Sequence, residues 1–295
     1  MKLKKLSIIC LIFILTFVTA ACTITTSDTE KEQDPDALKI HFIDVGQGDS
    51  ILVNLSQKFT MLIDAGNNND GEKIVRYIKD QGIKRIDYIV GTHPHEDHIG
   101  ALDVVIQTFD IGKVYMPKVS HNTKTFKDVL LAVKEKGLKV SSPKPGEIIF
   151  DKEDLKVQFL APNAENYEEL NNYSIVTKVT YGEASFLLAG DAEDVSEKEM
   201  LKKFGTGLKA NVLKLGHHGS TSSTTPEFLK AVSPEYAVIS VGKDNTYGHP
   251  HKETIGRLNK KGIKIYRTDK NGTVVMSSDG QEISVWVEKE NGGYL

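Results

Sequence analysis

Three shortages narrow the possibilities before any motif is considered. The 295 residues contain two cysteines, Cys10 and Cys22, so a domain lying beyond residue 22 has no free thiol and no disulfide and must rely on its core. After Val18 there is no apolar run near the roughly 20 residues that a membrane-spanning helix needs. A basic excess is also lacking, because 37 Lys and Arg face 40 Asp and Glu for a formal charge of −3. A dedicated nucleic-acid binder usually carries a strongly basic footprint, so any contact with a polyanion must rest on a local patch. No repeat of fixed period occurs, and the one biased segment lies near the N-terminus.

The first 21 residues have the layout of an export signal. Lys2, Lys4 and Lys5 precede an apolar stretch from Leu6 to Val18, and Thr19-Ala20-Ala21-Cys22 supplies small residues at a cleavage point. The stretch resembles a bacterial lipoprotein signal, with Thr19 where such signals usually carry Leu. That resemblance implies lipidation at Cys22 and a membrane-anchored location on the extracellular face, with simple secretion as the alternative. Residues 22–37 (CTITTSDTEKEQDPDA) then read as a flexible tether, polar and charged after Ile24. The folded domain is expected over 38–295. Loss of the three signal lysines and of no acid leaves the chain from Cys22 onward at −6.

Within that domain strands and helices alternate. Period-2 and short buried runs predict strands over 38–43, 50–53, 59–63, 86–90, 157–160, 175–181, 185–188, 212–215, 236–241, 263–266, 274–277 and 283–287. Helical spacing predicts helices over 71–81, 101–109, 126–136, 195–204, 226–232 and 252–261. Each half can form a sheet covered by helices on one face, and the pattern permits the two to stack as a four-layer αββα sandwich.

The chemistry concentrates in Thr92-His93-Pro94-His95-Glu96-Asp97-His98, between a predicted strand and a predicted helix. Loops at the carboxyl ends of strands are where α/β structures bind ligands. Pro94 biases His93 towards an extended backbone, and alternation then turns His93 and His95 the same way. Asp97 and His98 fall where the chain enters the helix and can address a second metal about 3.5–4 Å from the first. Imidazoles and carboxylates are the ligand set of a catalytic Zn²⁺ or similar ion that keeps an open position for water. Three histidines and an aspartate in six residues are not accounted for by a solvated turn.

At these residues the chain resembles the metallo-β-lactamase-fold superfamily, whose HxHxDH motif is read here as His93, His95, Asp97 and His98. The resemblance implies a metal-bridging role for Asp191 in Gly190-Asp191 and a final histidine ligand in His217-His218-Gly219-Ser220. His217 is the expected ligand and His218 a neighbour that supports it or contacts substrate. More narrowly, Asp44-Val45-Gly46-Gln47-Gly48-Asp49-Ser50, Leu62-Ile63-Asp64-Ala65-Gly66, Asn171-Asn172-Tyr173-Ser174 and Asn245-Thr246-Tyr247-Gly248-His249-Pro250 occur in the order seen in the hydrolase domain of ComEC-type DNA-uptake proteins. In that family the domain accompanies a membrane channel. With no such channel segment here, the expectation is a freestanding relative to which competence itself does not carry over.

The resemblance further implies two divalent metal ions, with Asp97, Asp191 and His249 close to the chemistry. One departure stands out: many superfamily hydrolases place another histidine between the motif and the bridging aspartate, and here only His121 lies in that interval. His121 is expected to be solvated, with Asn172 or Ser174 filling in at the His93/His95 side. Weaker, oxygen-rich ligation moves the preference from Zn²⁺ towards Mn²⁺. Lys214, Ser220 and Thr221 flank the histidine pair and are suited to holding phosphate oxygens. Asp49 and Ser50 are expected beneath the site, delivered by the Gly46-Gln47-Gly48 turn, and Asp44 and Asp64 as structural carboxylates.

The expected activity is hydrolysis of a phosphodiester, nucleic acid included. The alternatives are a metallo-hydrolase acting on a phosphocholine or teichoic ester, a lactone or a lactam, and a non-catalytic metal- or DNA-binding lipoprotein. No protein partner is inferable.

Overall fold

The computed structural model describes residues 37–56, 58–290 and 293–294, within the compact unit 34–295. The proposed signal, the lipidation site at Cys22 and all of the tether except Ala37 lie outside the described residues.

The chain runs β1 (Leu38–Phe42), β2 (Ile51–Leu55), β3 (Phe59–Ile63), α1 (Gly71–Asp80), β4 (Arg85–Val90), α2 (Glu96–Ile99), α3 (Leu102–Thr108), β5 (Asp110–Tyr115), α4 (Lys124–Glu135) and β6 (Val140–Ser141). It continues through β7 (Ile148–Lys152), β8 (Leu155–Phe159), β9 (Thr177–Tyr181), β10 (Ala184–Leu188), α5 (Asp194–Phe204), β11 (Val212–Lys214), α6 (Pro226–Val232) and β12 (Tyr236–Ile239). After these come α7 (Lys252–Lys260), β13 (Lys264–Arg267), α8 (Thr268–Asn271), β14 (Val274–Ser278) and β15 (Ile283–Val287). One sheet has the order β15-β14-β1-β2-β3-β4-β5-β6, the other β13-β12-β11-β10-β9-β8-β7.

Alternation along the strands makes the layers. On β2, Ile51, Val53 and Leu55 join Phe159 and Phe186 of the other sheet in the central core, while Leu52 faces the layer of α1, α3 and α4. On β10, Phe186 and Leu188 point inward, whereas Leu187 joins Phe228 and Leu258 beneath α6 and α7. Both faces of each sheet are thus apolar, which is why the strands read as near-continuous hydrophobic runs. The helices start where side chains satisfy free backbone amides. Thr123 accepts the Phe126 amide at the head of α4, and Thr225 accepts that of Phe228 at α6, with Pro226 in the first turn. The result is the four-layer αββα sandwich that the pattern permits.

Strands β5, β6 and β7 escape the sequence pattern. The β5 segment Asp-Ile-Gly-Lys-Val-Tyr interrupts its apolar positions with Gly112 and Lys113, and β7 is an edge strand with an irregular register to β8. Elsewhere the predicted strand from Ile175 begins only at Thr177, because the Ile175 amide bonds to the Thr92 carbonyl at 3.0 Å. That bond draws the start of β9 to the histidine loop.

Candidate metal centre

Both sheets point parallel strand ends at one place. In the first, β3, β4 and β5 run parallel, and Asp64 and the Thr92–His98 loop follow β3 and β4. In the second, β10, β11 and β12 run parallel, with Gly190-Asp191 after β10 and His217-His218 after β11. Motifs nearly 100 residues apart in sequence therefore meet across the sandwich.

The Asp191 carboxylate is the hub. Its Oδ1 lies 3.2 Å from His98 Nε2, and its Oδ2 lies 3.5 Å from His218 Nε2 and 4.0 Å from His93 Nε2. On the other side His218 Nε2 is 3.3 Å and His98 Nε2 3.8 Å from Asp97 Oδ2. His95 turns its Nδ1 to within 2.9 Å of His93 Nε2, the common orientation expected from the alternation about Pro94. Two ligand groups overlap as a result: His93, His98 and Asp191, and Asp97, His98 and His218.

A second layer fixes these rings. Asp64 is fully buried; one oxygen takes the His98 Nδ1 at 2.8 Å and the Thr92 hydroxyl at 2.7 Å, and the other takes the Thr92 amide. Such a carboxylate sets the tautomer and aim of a metal-binding imidazole. Ser174 Oγ accepts the Asp191 amide at 3.0 Å and touches His93 Nδ1 at 3.3 Å, so it braces the ligands. Gly48 takes a φ of 144°, and a β-carbon there would run into the Asp97 carbonyl, so only glycine fits. The Asp49 amide then donates to that carbonyl at 3.0 Å, which seats Asp49 beneath the site as the turn predicts.

Several expectations need correction. His218, not His217, carries the ring that joins Asp97, His98 and Asp191; it also holds the Ser240 carbonyl through Nδ1 at 2.9 Å. The His217 ring instead sits 3.1 Å from Glu193 Oε1 and lines the pocket, with its Nε2 3.9 Å from Asp191. The cause is the backbone: consecutive left-handed residues at 217 and 218 (φ 46° and 52°) splay neighbouring rings in a way that sequence alone does not reveal.

Lys214 is fully buried and ion-paired with Asp49, and it donates to the Gly190 carbonyl; it does not line the pocket. Asn172 caps α5 by accepting the Glu193 and Ser196 amides, leaving its neighbour Asn171 to face the pocket. Ser220 bonds to Ser222 at 2.9 Å and does not line the pocket. His249 lines it as expected, whereas His121 is half-buried with its ring 6.2 Å from that of His95. The sequence gives no sign of Glu193, and it presents Asn171, Glu96, Gln47 and Tyr247 only inside longer motifs.

The donor set fits divalent cations. His98 Nε2 and Asp191 Oδ1 are buried and lie 3.2 Å apart with no other hydrogen-bond partner, so two potential ligand atoms border one shared space. Burial pushes the His93 pKa well below its usual value, which leaves a neutral imidazole with a free lone pair. Burial acts the same way on His98, but the Asp191, Asp97 and Asp64 carboxylates overcome it and hold the ring's pKa well above the ordinary value. Against the burial that would raise them, His98 and His218 keep Asp97 and Asp191 below the carboxylate range. This concentration of negative charge calls for cations in the middle of the site. The pocket over it measures about 320 Å³ and is lined by residues including Gln47, Asn171, His217, Tyr247 and His249. Burial, followed by His217 and His218, lowers the His249 pKa to about 4.

Comparison with known proteins agrees with this fold. The sequence model of the Metallo-beta-lactamase superfamily matches residues 43–243. ComE operon protein 3 of Bacillus subtilis is 34% identical over 253 residues, which are 80% of this chain and 32% of that protein. Competence protein ComA of Neisseria gonorrhoeae is 32% identical over 232 residues, 78% of this chain and 31% of that protein. The chain thus spans about a third of the length of these curated relatives. Among solved structures, the metallo-beta-lactamase fold protein YhfI from Bacillus subtilis superposes with a TM-score of 0.56 at 12% identity, covering 82% of this chain and all of that one. CmlA, a diiron beta-hydroxylase from Streptomyces venezuelae, gives 0.52 at 15% identity, covering 79% and 53%. At such identities these two structures speak for the fold alone.

Proposed function

The chain belongs to the Metallo-beta-lactamase superfamily, and from that premise we propose that it is an exported phosphodiester hydrolase with a two-metal site. The observation that carries this reading is the position of Asp191 between two imidazole groups, beneath a pocket lined by imidazoles and amides. Imidazole and amide donors on the pocket wall suit the oxygens of a phosphate ester better than the apolar body of a lactam. The competence proteins among its relatives favour a nucleic-acid phosphodiester as substrate.

Zn²⁺ or Mn²⁺ held by His93, His95, Asp97, His98, Asp191 and His218 would supply water activation and neutralise charge on the phosphoryl oxygens. Everything else is the work of the chain itself. Asp64 keeps a proton on His98 Nδ1 and so leaves Nε2 free to bind. Asp97, whose side chain is 30% exposed against 3% for Asp191, is the carboxylate placed to receive a proton from the attacking water. His217, oriented by Glu193, and His249 stand on the pocket wall, where they contact the ester oxygens. The new bond joins the water oxygen to phosphorus as the ester P–O bond breaks, and the proton taken up by Asp97 passes to the departing oxygen.

The N-terminal segment belongs to the same reading: Cys22 becomes lipidated and holds the hydrolase outside the membrane. Radiolabelled palmitate incorporation into wild type, lost in Cys22→Ser, tests that part. For the chemistry, bound metal is measured first. Turnover of single-stranded DNA, a generic phosphodiester and a lactam is then compared in Mn²⁺ and Zn²⁺. Metal-dependent phosphodiester cleavage, abolished in His98→Ala, is the expected result. Metal-loaded protein that cleaves no phosphodiester would overturn the reading.

A further inference from the structure

Tyr247 is the one large exposed hydrophobic side chain that lines the pocket; the other described ones, Leu130, Leu131, Val140, Ile148, Val195 and Trp286, do not. Its ring is 65% exposed, yet the loop that carries it is tied down. Asn245 Oδ1 accepts the amides of Tyr247 at 3.2 Å and His249 at 3.0 Å. The Asn245 amide group donates to the carbonyls of Gly242 at 3.0 Å and His249 at 2.7 Å. Four bonds from one side chain hold the β12–α7 loop in a single shape. Tyr247 is therefore presented to solvent and not merely stranded there.

The ring also has a defined orientation. It lies within 20° of parallel to His249, centroid to centroid 5.7 Å, and the His249 ring is 5.3 Å from that of His217 over the metal site. A flat face at the mouth of the pocket over the ligand cluster matches the geometry by which unpaired bases are recognised. Base–aromatic stacking is sequence-tolerant, because every base has a π-face, and its contribution does not come from basic side chains. The chain's formal charge of −3 makes that last point relevant, because phosphate contacts alone offer little attraction here.

Resting on the phosphodiester reading above, we infer that Tyr247 is a stacking platform for a nucleobase next to the scissile phosphate, which makes the substrate a single-stranded polynucleotide. Bases within a duplex present no free face to the ring, so an intact duplex is a poor ligand.

The test uses the full chain in detergent with chelator present, so that binding is read without turnover. Fluorescence anisotropy compares a labelled oligothymidylate with a strand of equal length whose sugars carry no base. Wild type should bind the thymidylate strand roughly tenfold more tightly than the abasic one. Tyr247→Ala should remove that difference by weakening only the base-bearing strand, while Tyr247→Phe and Tyr247→Trp retain it. Equal affinity of wild type for both strands, or equal weakening of both by Tyr247→Ala, overturns the inference. The two readings fail separately. Base-dependent binding without hydrolysis of any phosphodiester removes the catalytic reading and keeps the platform. Hydrolysis with base-independent binding does the reverse.

Discussion

The Lys214 ammonium is buried against the Asp49 carboxylate directly beneath the ligand cluster, with neither side chain more than 1% exposed. The other Asp49 oxygen lies 3.6 Å from His218 Nδ1 and 3.9 Å separates the carboxylate from His98 Nδ1. Lys214 thus offsets an anion that would otherwise compete for the imidazole protons. Breaking a buried pair by removing one partner costs about 3–5 kcal/mol. Lys214→Met should lower the urea midpoint accordingly, and adding Asp49→Asn should recover a large part of the loss. If the double variant is as unstable as the sum of the single changes, the two residues are not coupled.

Metal binding should stabilise the fold, because the ligands come from both sheets and exist as a group only when the sandwich is closed. At a free metal concentration 100 times the dissociation constant, linkage contributes about 2.7 kcal/mol. For a domain of this size that corresponds to a Tm change of roughly 5–10 °C. Calorimetry with and without chelator reads it directly, and His98→Ala, which removes a ligand common to both groups, should show no chelator effect.

His41 provides a pH dependence separate from the metal site. It is buried on β1 with Nδ1 2.9 Å from the Tyr77 hydroxyl, and burial, then the charge of Lys39, lowers its pKa to about 4. The unfolded chain takes up this proton near pH 6.5 and the folded chain only near pH 4. Its contribution is therefore present above pH 6.5 and is lost as pH falls towards 4, roughly 3 kcal/mol in all. His41→Gln, which keeps a partner for Tyr77 without titrating, should flatten this part of the profile. The quantity to compare is wild type minus variant in urea midpoint between pH 7 and pH 4.5, since the site histidines titrate in both.

The sequence conveys the fold and the motif well because both are local. Strands buried on both faces announce themselves as apolar runs, and His93, His95, Asp97 and His98 share one loop. What it conceals depends on backbone shape and on contacts between the halves. Lys214 reads as a phosphate ligand until the loop before β2, from the other half, is seen to bring Asp49 onto it. Asn172 and Asn171 are equivalent as letters, and only the 3-10 turn over Leu170–Tyr173 decides that one caps α5 and the other faces the pocket. Glu193 carries no motif of its own, and its value comes from standing two residues beyond Asp191.

The adjacent histidines make the sharpest distinction between ligand and pocket wall. His218 is 2% exposed and addresses Asp97 and Asp191, whereas His217 is 26% exposed and is held at Nδ1 by Glu193, which also accepts the Ser222 hydroxyl at 2.7 Å. His218→Ala should lose metal by elemental analysis, while His217→Ala keeps the wild-type stoichiometry but loses turnover. Glu193→Ala leaves the His217 ring free to rotate away from the pocket, and displacement of a positioned group by about 1 Å is enough to cost about 100-fold in rate. The fall should therefore appear in kcat for a phosphodiester, with metal content unchanged, and Glu193→Gln should restore part of it by keeping one contact to the ring. A purely structural Glu193 would instead lower Tm and metal content together. Equal metal loss in the His217 and His218 variants would return His217 to the ligand set.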